Sequence, residues 1–142
     1  MVESGLTSTN PKELKGARAV IEGKITSAIT GISSLEKNSD ASYDYSKISR
    51  KNVLSNRDKL VTNVELMKKV HDRFCTFMDR GNTDEEEESI LEKEEDYLSS
   101  IEKKAHKALD VFDEYEVSYN AFINVKIAKL RQSCDSFFVH NL

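Results

Sequence analysis

The chain is poor in residues that break or cross-link a fold. Its 142 residues include one proline, five glycines, two cysteines and no tryptophan. So little Gly and Pro excludes a collagen-like or Pro-rich chain, and two cysteines cannot build a disulfide framework. Turn residues are too sparse for a β-sandwich or barrel, which needs them about every 8–12 positions. Neither sign of charge dominates: 21 basic residues face 25 acidic ones, for a net charge of −4. That is not the basic excess of a nucleic-acid-binding domain. Long apolar runs are also missing. The longest uncharged stretch, Ile25 to Leu35, has 11 residues and includes Thr, Ser and Gly, whereas a membrane span takes about 20 apolar residues. Met1 to Lys15 is polar, so no secretory signal is expected. Cys75 and Cys134 are expected to stay reduced in an intracellular, cytoplasmic protein.

What is present is strong helical periodicity. The only proline is Pro11, and Gly5, Gly16, Gly23, Gly31 and Gly81 all precede residue 82. Residues 82–142 therefore contain no breaker, which predicts helix. A first helix starts with Asn10 as cap, Pro11 at the first position and Glu13 as a capping-box partner. Its seam is Leu14, Ile21, Ile25, Ala28, Ile32 and Leu35, spaced by four and three after the first heptad, with Arg18 as the one break. Gly16, Gly23 and Gly31 fall near one face. They are either local weakness or a surface where a second helix approaches closely.

Asn38 to Asp44 reads as a loop, and a second helix begins near Ser46 or Ser49. Its seam is Val53, Arg57, Leu60, Val64, Met67, His71, Phe74 and Met78. Leu54, Val61, Val70 and Phe77 widen the stripe, as in a bundle helix. Gly81 reads as its C-terminal cap. Thr83 and Glu86 make a capping-box pair for the third helix. The acid run from Asp84 to Glu87 suits a helix N-terminus, where carboxylates complement the dipole, better than a binding tail. The third seam runs Leu91, Leu98, Ile101, Ala105, Ala108, Phe112, Tyr115, Tyr119 and Phe122. A further stripe of Ile123, Ile127, Leu130, Cys134 and Phe137 follows, one residue out of step.

The expected fold is all-α: an elongated antiparallel bundle of three long helices, with either a bend or a fourth helix near residue 118. Residues 1–9 are expected to be a disordered N-terminal segment and 10–142 a single helical-bundle domain. One straight helix over 84–137 would be about 80 Å long, against a radius of gyration of about 14–15 Å for a compact domain of this size. Either the bundle is elongated, or residues 121–142 fold back or leave to bind a partner, with docking on another copy the expectation. Phe122, Ile123, Ile127, Leu130, Phe137 and Phe138 are the candidate interaction surface.

Chemistry is sparse. Residues 84–104 hold ten acidic and three basic side chains, and residues 12–80 hold 14 basic and nine acidic, so the segments can attract when packed. Lys47, Arg50, Lys51, Arg57 and Lys59 cluster at the start of the second helix, with Tyr43 and Tyr45 nearby. They are the candidate nucleic-acid contacts. His71, Cys75 and Asp79, spaced by four, share a helix face, and Cys134 or His106 could complete a zinc site. However, His71 sits on the apolar seam and no CxxC or HxxxH pairing supports a site, so no metal and no cofactor is expected. There is no GxSxG, P-loop, HExxH or GxGxxG motif, and no enzyme activity is expected.

The segment Leu14 to Thr26 (LKGARAVIEGKIT), with the seam on to Asn38, resembles the opening of a helical domain in Pao/BEL-type retrotransposon polyproteins. Tyr97 to Leu109 (YLSSIEKKAHKAL) and Asp113 to Glu116 are similar to its later helices. The resemblance covers roughly residues 12–120. The chain carries no zinc knuckle, peptidase motif or polymerase. The resemblance implies a Gag-like fragment or domesticated remnant with a role in self-assembly or RNA packaging. The function expected is thus a non-catalytic assembly domain. The alternatives are an adaptor that binds partner helices, or a nucleic-acid-binding helical domain.

Overall fold

The computed structural model describes residues 7–40 and 42–141, with side chains described as far as residue 135. Three long helices run through the described residues: α1 Pro11–Ser33, α2 Arg50–Phe77 and α3 Asp84–Asn141. Each packs against the other two, and α1 with α2 forms the closest pair. Among the described residues the only β-type pairing is a single bridge, Lys37 with Tyr43, in the α1–α2 loop. At 1.5 Å per residue the helices are about 35, 42 and 87 Å long. The third is one uninterrupted helix. No fourth helix starts near residue 118, because Val117, Ser118 and Asn120 are too few to interrupt so long a run without Gly or Pro.

The helix starts follow from side chains that satisfy free backbone donors. Asn10 accepts from the Lys12 amide at 2.9 Å, with Pro11 in the first turn. Glu13 does not close the expected box. The Asn10 amide donates to the Ser8 hydroxyl at 3.1 Å, and that hydroxyl donates to Glu13 at 2.7 Å, so Ser8 stands between them. Ser49, rather than Ser46, caps α2 by accepting from the Asn52 amide. Ser46 is held instead in a turn built on the Asp44 carboxylate. Thr83 accepts from the Glu86 amide at 3.1 Å, while Glu86 accepts from the Asn82 amide at 3.0 Å, one residue outside the usual box.

The end of α2 differs from the expectation. The helix stops at Phe77, four residues before Gly81. Arg80 reaches back and donates to the Cys75 carbonyl, which satisfies an end-of-helix acceptor in place of a glycine cap. Gly81 has φ +82° in the connection to α3, and a Cβ there would press on Glu86 at 2.7–2.8 Å.

The core lies between the three helices and follows the seams. Leu14, Arg18, Ile21, Ile25, Ala28 and Ile32 are buried on α1. Val53, Leu60, Asn63, Met67, Val70, His71 and Phe74 are buried on α2, followed by Met78. On α3 they are Ile101, Ala105, Ala108, Phe112 and Tyr115. Each fully buried Leu or Ile contributes about 1.5–3 kcal/mol. Asn63, absent from the seam, is satisfied by donating to the Lys59 carbonyl at 2.7 Å. Arg57, expected in the seam, is exposed, with its guanidinium 5.8 Å from the Phe112 ring. Of the segment 1–9, residues 1–6 lie outside the described residues. Thr7 and Ser8 are tied to α2, their carbonyls accepting from Arg73 at 3.0 and 2.5 Å.

The glycines of α1 separate by environment. Nothing lies within 4 Å of a Cβ built at Gly16 or Gly23, whereas one at Gly31 would run into the Asn56 amide of α2. Only Gly31 marks a close approach. Gly16→Ala and Gly23→Ala are expected to stabilise the protein by up to about 1 kcal/mol each, and Gly31→Ala to gain less. Gly81→Ala is expected to cost about 1–2 kcal/mol for its left-handed backbone. Urea unfolding midpoints of the four variants check this ordering.

Candidate interaction surface

The bundle ends near residue 119, and α3 does not. At that end the α1–α2 loop turns two tyrosines inward. Asp40 accepts from the amide and hydroxyl of Ser42, and Asp44 does the same for Ser46. These turns set Tyr43 edge-on to Tyr115 at 5.6 Å and Tyr45 against Phe122 at 4.6 Å. Arg50 lies 3.9 Å from the Tyr119 ring and grips Glu116 through two bonds of 2.6 and 2.9 Å. That grip holds Glu116 below the usual carboxylate range and raises Arg50 further.

Beyond this rim α3 continues for 22 residues, 120–141, about 33 Å. Val125, Ile127 and Leu130 are 55, 41 and 62% exposed there. Ile123 is partly covered and Cys134 is exposed. Phe122 is 41% exposed but belongs to the rim through Tyr45. The side chains of Phe137 and Phe138 lie outside the described residues. Carried on from Tyr119 at the same spacing, the core stripe would fall on Phe122, Lys126, Lys129 and Ser133. The chain's own seam thus runs out into lysines. The apolar stripe of the projection is offset by one residue, about 100° around the helix.

The basic cluster is not gathered into one surface. Arg50 is paired with Glu116 and Arg57 with Asp58. Lys47 lies 3.8 Å from both Glu36 and Asp44. Lys51 and Lys59 line a shallow open hollow together with Leu54 and Asp58. Tyr43 is buried, so it offers no face to a base. Three ion pairs join the basic segment to α3: Arg18–Glu94, within the acidic stretch 84–104, and Lys37–Glu114 and Arg50–Glu116, which lie beyond it.

The sequence did not reveal a polar layer inside the bundle. Arg18 is 6% exposed and lies between the rings of Phe74 and Tyr97, 4.3 Å from each centroid. It donates to Glu94 at 2.5 Å and to His71 Nδ1 at 3.2 Å. Tyr97 donates to Glu22 at 2.7 Å. A guanidinium only donates, so Nδ1 accepts and the His71 proton sits on Nε2, 3.5 Å from Cys75 Sγ. Burial lowers the His71 pKa, and the Arg18 cation lowers it further. Burial also pushes the Cys75 thiol up, which keeps it protonated. Asp79 lies past the end of α2 and is exposed, and His106 and Cys134 are exposed on α3. Among the described residues no group of three or more His, Cys, Asp and Glu is placed to hold a metal ion.

No described helix is long and apolar enough to cross a membrane. Surface concavities are open grooves, such as the one on α3 lined by Ser99, Glu102, His106 and Asp110. No family model, no curated protein and no solved structure matches this chain.

The polar layer gives a pH dependence with a definite sign. His71 holds a proton less readily folded than unfolded. The stability it supports is complete above its unfolded value of 6.5 and is lost as pH falls toward the lower folded value. Thermal melts between about pH 7.5 and 5.5 are expected to show wild type losing stability on acidification. His71→Gln, which keeps an acceptor but cannot titrate, is expected to flatten that slope. Equal slopes would show that His71 is not the titrating group.

Proposed function

We propose that this chain is a non-catalytic helical assembly domain that works by self-association. One observation carries the reading: α3 runs about 33 Å past the bundle, with Val125, Ile127 and Leu130 exposed along it. Exposed Ile and Leu side chains concentrated on one helical segment cost solubility unless a partner takes them. The compact part has its own core and its own polar layer, so it does not need the projection to fold. This division suits a scaffold, in which one part folds and another joins.

The resemblance to the helical domain of Pao/BEL-type polyproteins supports a Gag-like scaffold, or a domesticated remnant of one, acting in the cytoplasm with its thiols reduced. An adaptor would use the same face on a different helix. Nucleic-acid binding is the weaker reading, because Arg50 and Arg57 are turned to partners within the chain.

Sedimentation at micromolar concentration is expected to show a dimer or larger species of the 16.1 kDa chain. Growth with concentration into large particles supports the Gag-like reading, and a fixed small oligomer supports the adaptor. Replacing Ile127 and Leu130 together by Glu is expected to give a monomer with unchanged cooperative unfolding. A wild type that stays monomeric at high concentration would contradict self-association. Loss of cooperative unfolding in the variant would assign the segment to the core.

A further inference from the structure

The polar layer ties down one part of α3 and not the rest. From Ile101 to Tyr115, α3 is held by buried apolar side chains. Between Asp84 and Ser100 no side chain of α3 is fully buried, and Ile90, Leu91 and Leu98 are only partly covered. Bonds to α1 supply what burial does not. Glu94 accepts from Arg18 at 2.5 Å, and Tyr97 donates to Glu22 at 2.7 Å. The Tyr97 ring also covers the Arg18 guanidinium at 4.3 Å and stacks beside His71 at 6.0 Å. The pair Arg80–Glu87 joins this stretch only to the connection just before it. Residues 84–98 carry nine acidic side chains and one basic, and Arg18 is the buried cation they meet.

His71 decides where Arg18 sits. Arg18 donates to His71 Nδ1 at 3.2 Å, a bond that needs an unprotonated ring nitrogen. We propose that the layer is an acid-released latch: protonating His71 turns Arg18 away and frees residues 84–98 of α3 from α1 and α2, while 101–119 stay packed. The groups around the imidazole set this outcome. α1 presents Arg18. On α2 the Cys75 thiol lies 3.5 Å from Nε2, and Asp72 is exposed. α3 presents Glu94 and Tyr97, with Glu102 a more distant negative charge. Protonation puts two cations 3.2 Å apart beside the one carboxylate bonded to Arg18, with Arg18 and His71 only 6 and 5% exposed. A charge left uncompensated there is costly. Arg18 has a second carboxylate in reach, Glu22, four residues on along α1. Taking it also removes the acceptor of Tyr97, so both bonds to α3 open together. Burial lowers the His71 pKa and sets the release on the acid side of 6.5. This inference is independent of the self-association reading.

Nuclear magnetic resonance between about pH 7.5 and 5 reads both ends of the bundle. The ring contact between Tyr97 and His71 is expected to disappear with the midpoint of the His71 ring titration. The contact between Tyr43 and Tyr115, edge-on at 5.6 Å, is expected to persist. Backbone amide shifts over 84–98 are expected to follow the His71 midpoint in wild type and to lose that transition in His71→Gln. A Tyr97–His71 contact that survives protonation of the ring would show Glu94 passing to the imidazolium, and would overturn the latch. Loss of the Tyr43–Tyr115 contact at the same midpoint would overturn it too, by making the layer a support of the whole bundle. So would an unchanged amide transition in His71→Gln. Should that variant not fold, the wild-type midpoints decide alone.

Discussion

Helix length is the constraint from which the rest follows. Neighbours of 23 and 28 residues cannot cover a helix of 58. α1, α2 and their loop reach α3 as far as Phe122, closing that end with a rim of aromatic rings and the Arg50–Glu116 fork, while Val125, Ile127 and Leu130 beyond it stay exposed. Most helical stability in proteins comes from packing an apolar face, and these exposed side chains lie on the projection. The proposed function takes this exposed stripe to be covered by a partner outside the chain.

Inside the bundle a different constraint sets how the helices meet. Arg18 is a charge in a core, and its desolvation offsets much of what its ion pair contributes. Its value is geometric. α1 supplies Arg18 and Glu22, α2 supplies His71 and Phe74, and α3 supplies Glu94 and Tyr97. Sliding α3 by one turn would separate Glu94 from Arg18 and Tyr97 from Glu22 together. An apolar seam tolerates such a slip far better. The layer thus fixes the height at which α3 sits, and with it how much of α3 emerges beyond the rim.

Much of this was legible in the sequence because period and caps are local properties. The buried positions of α1 fall on the predicted seam from Leu14 to Ile32, Arg18 included, and Asn10, Ser49 and Thr83 cap as their side chains allow. The register slip near 119–123 was visible as a one-residue shift, although two arrangements fitted it. What escaped depends on contacts between segments distant in sequence. Arg18 and His71 each interrupt a seam about two turns from a helix end. An antiparallel hairpin brings them level, which was the available signal. Tyr43 and Tyr45 looked like companions of a basic cluster because they precede it in sequence. Their burial depends on the Asp40 and Asp44 turns and on Tyr115, 70 residues or more away. Gly81 looked like a cap because nothing local shows Arg80 reaching back to Cys75.

The central claim is that the chain has a self-sufficient bundle ending near Tyr119 and a projection that needs a partner. Backbone amide exchange followed across protein concentration tests it most directly, since exchange reports local opening. The account predicts slow exchange over 101–115 at every concentration. Over 124–135 it predicts fast exchange in dilute protein, slowing as concentration rises. Exchange over 124–135 as slow as over 101–115 in the most dilute sample, and independent of concentration, would contradict it.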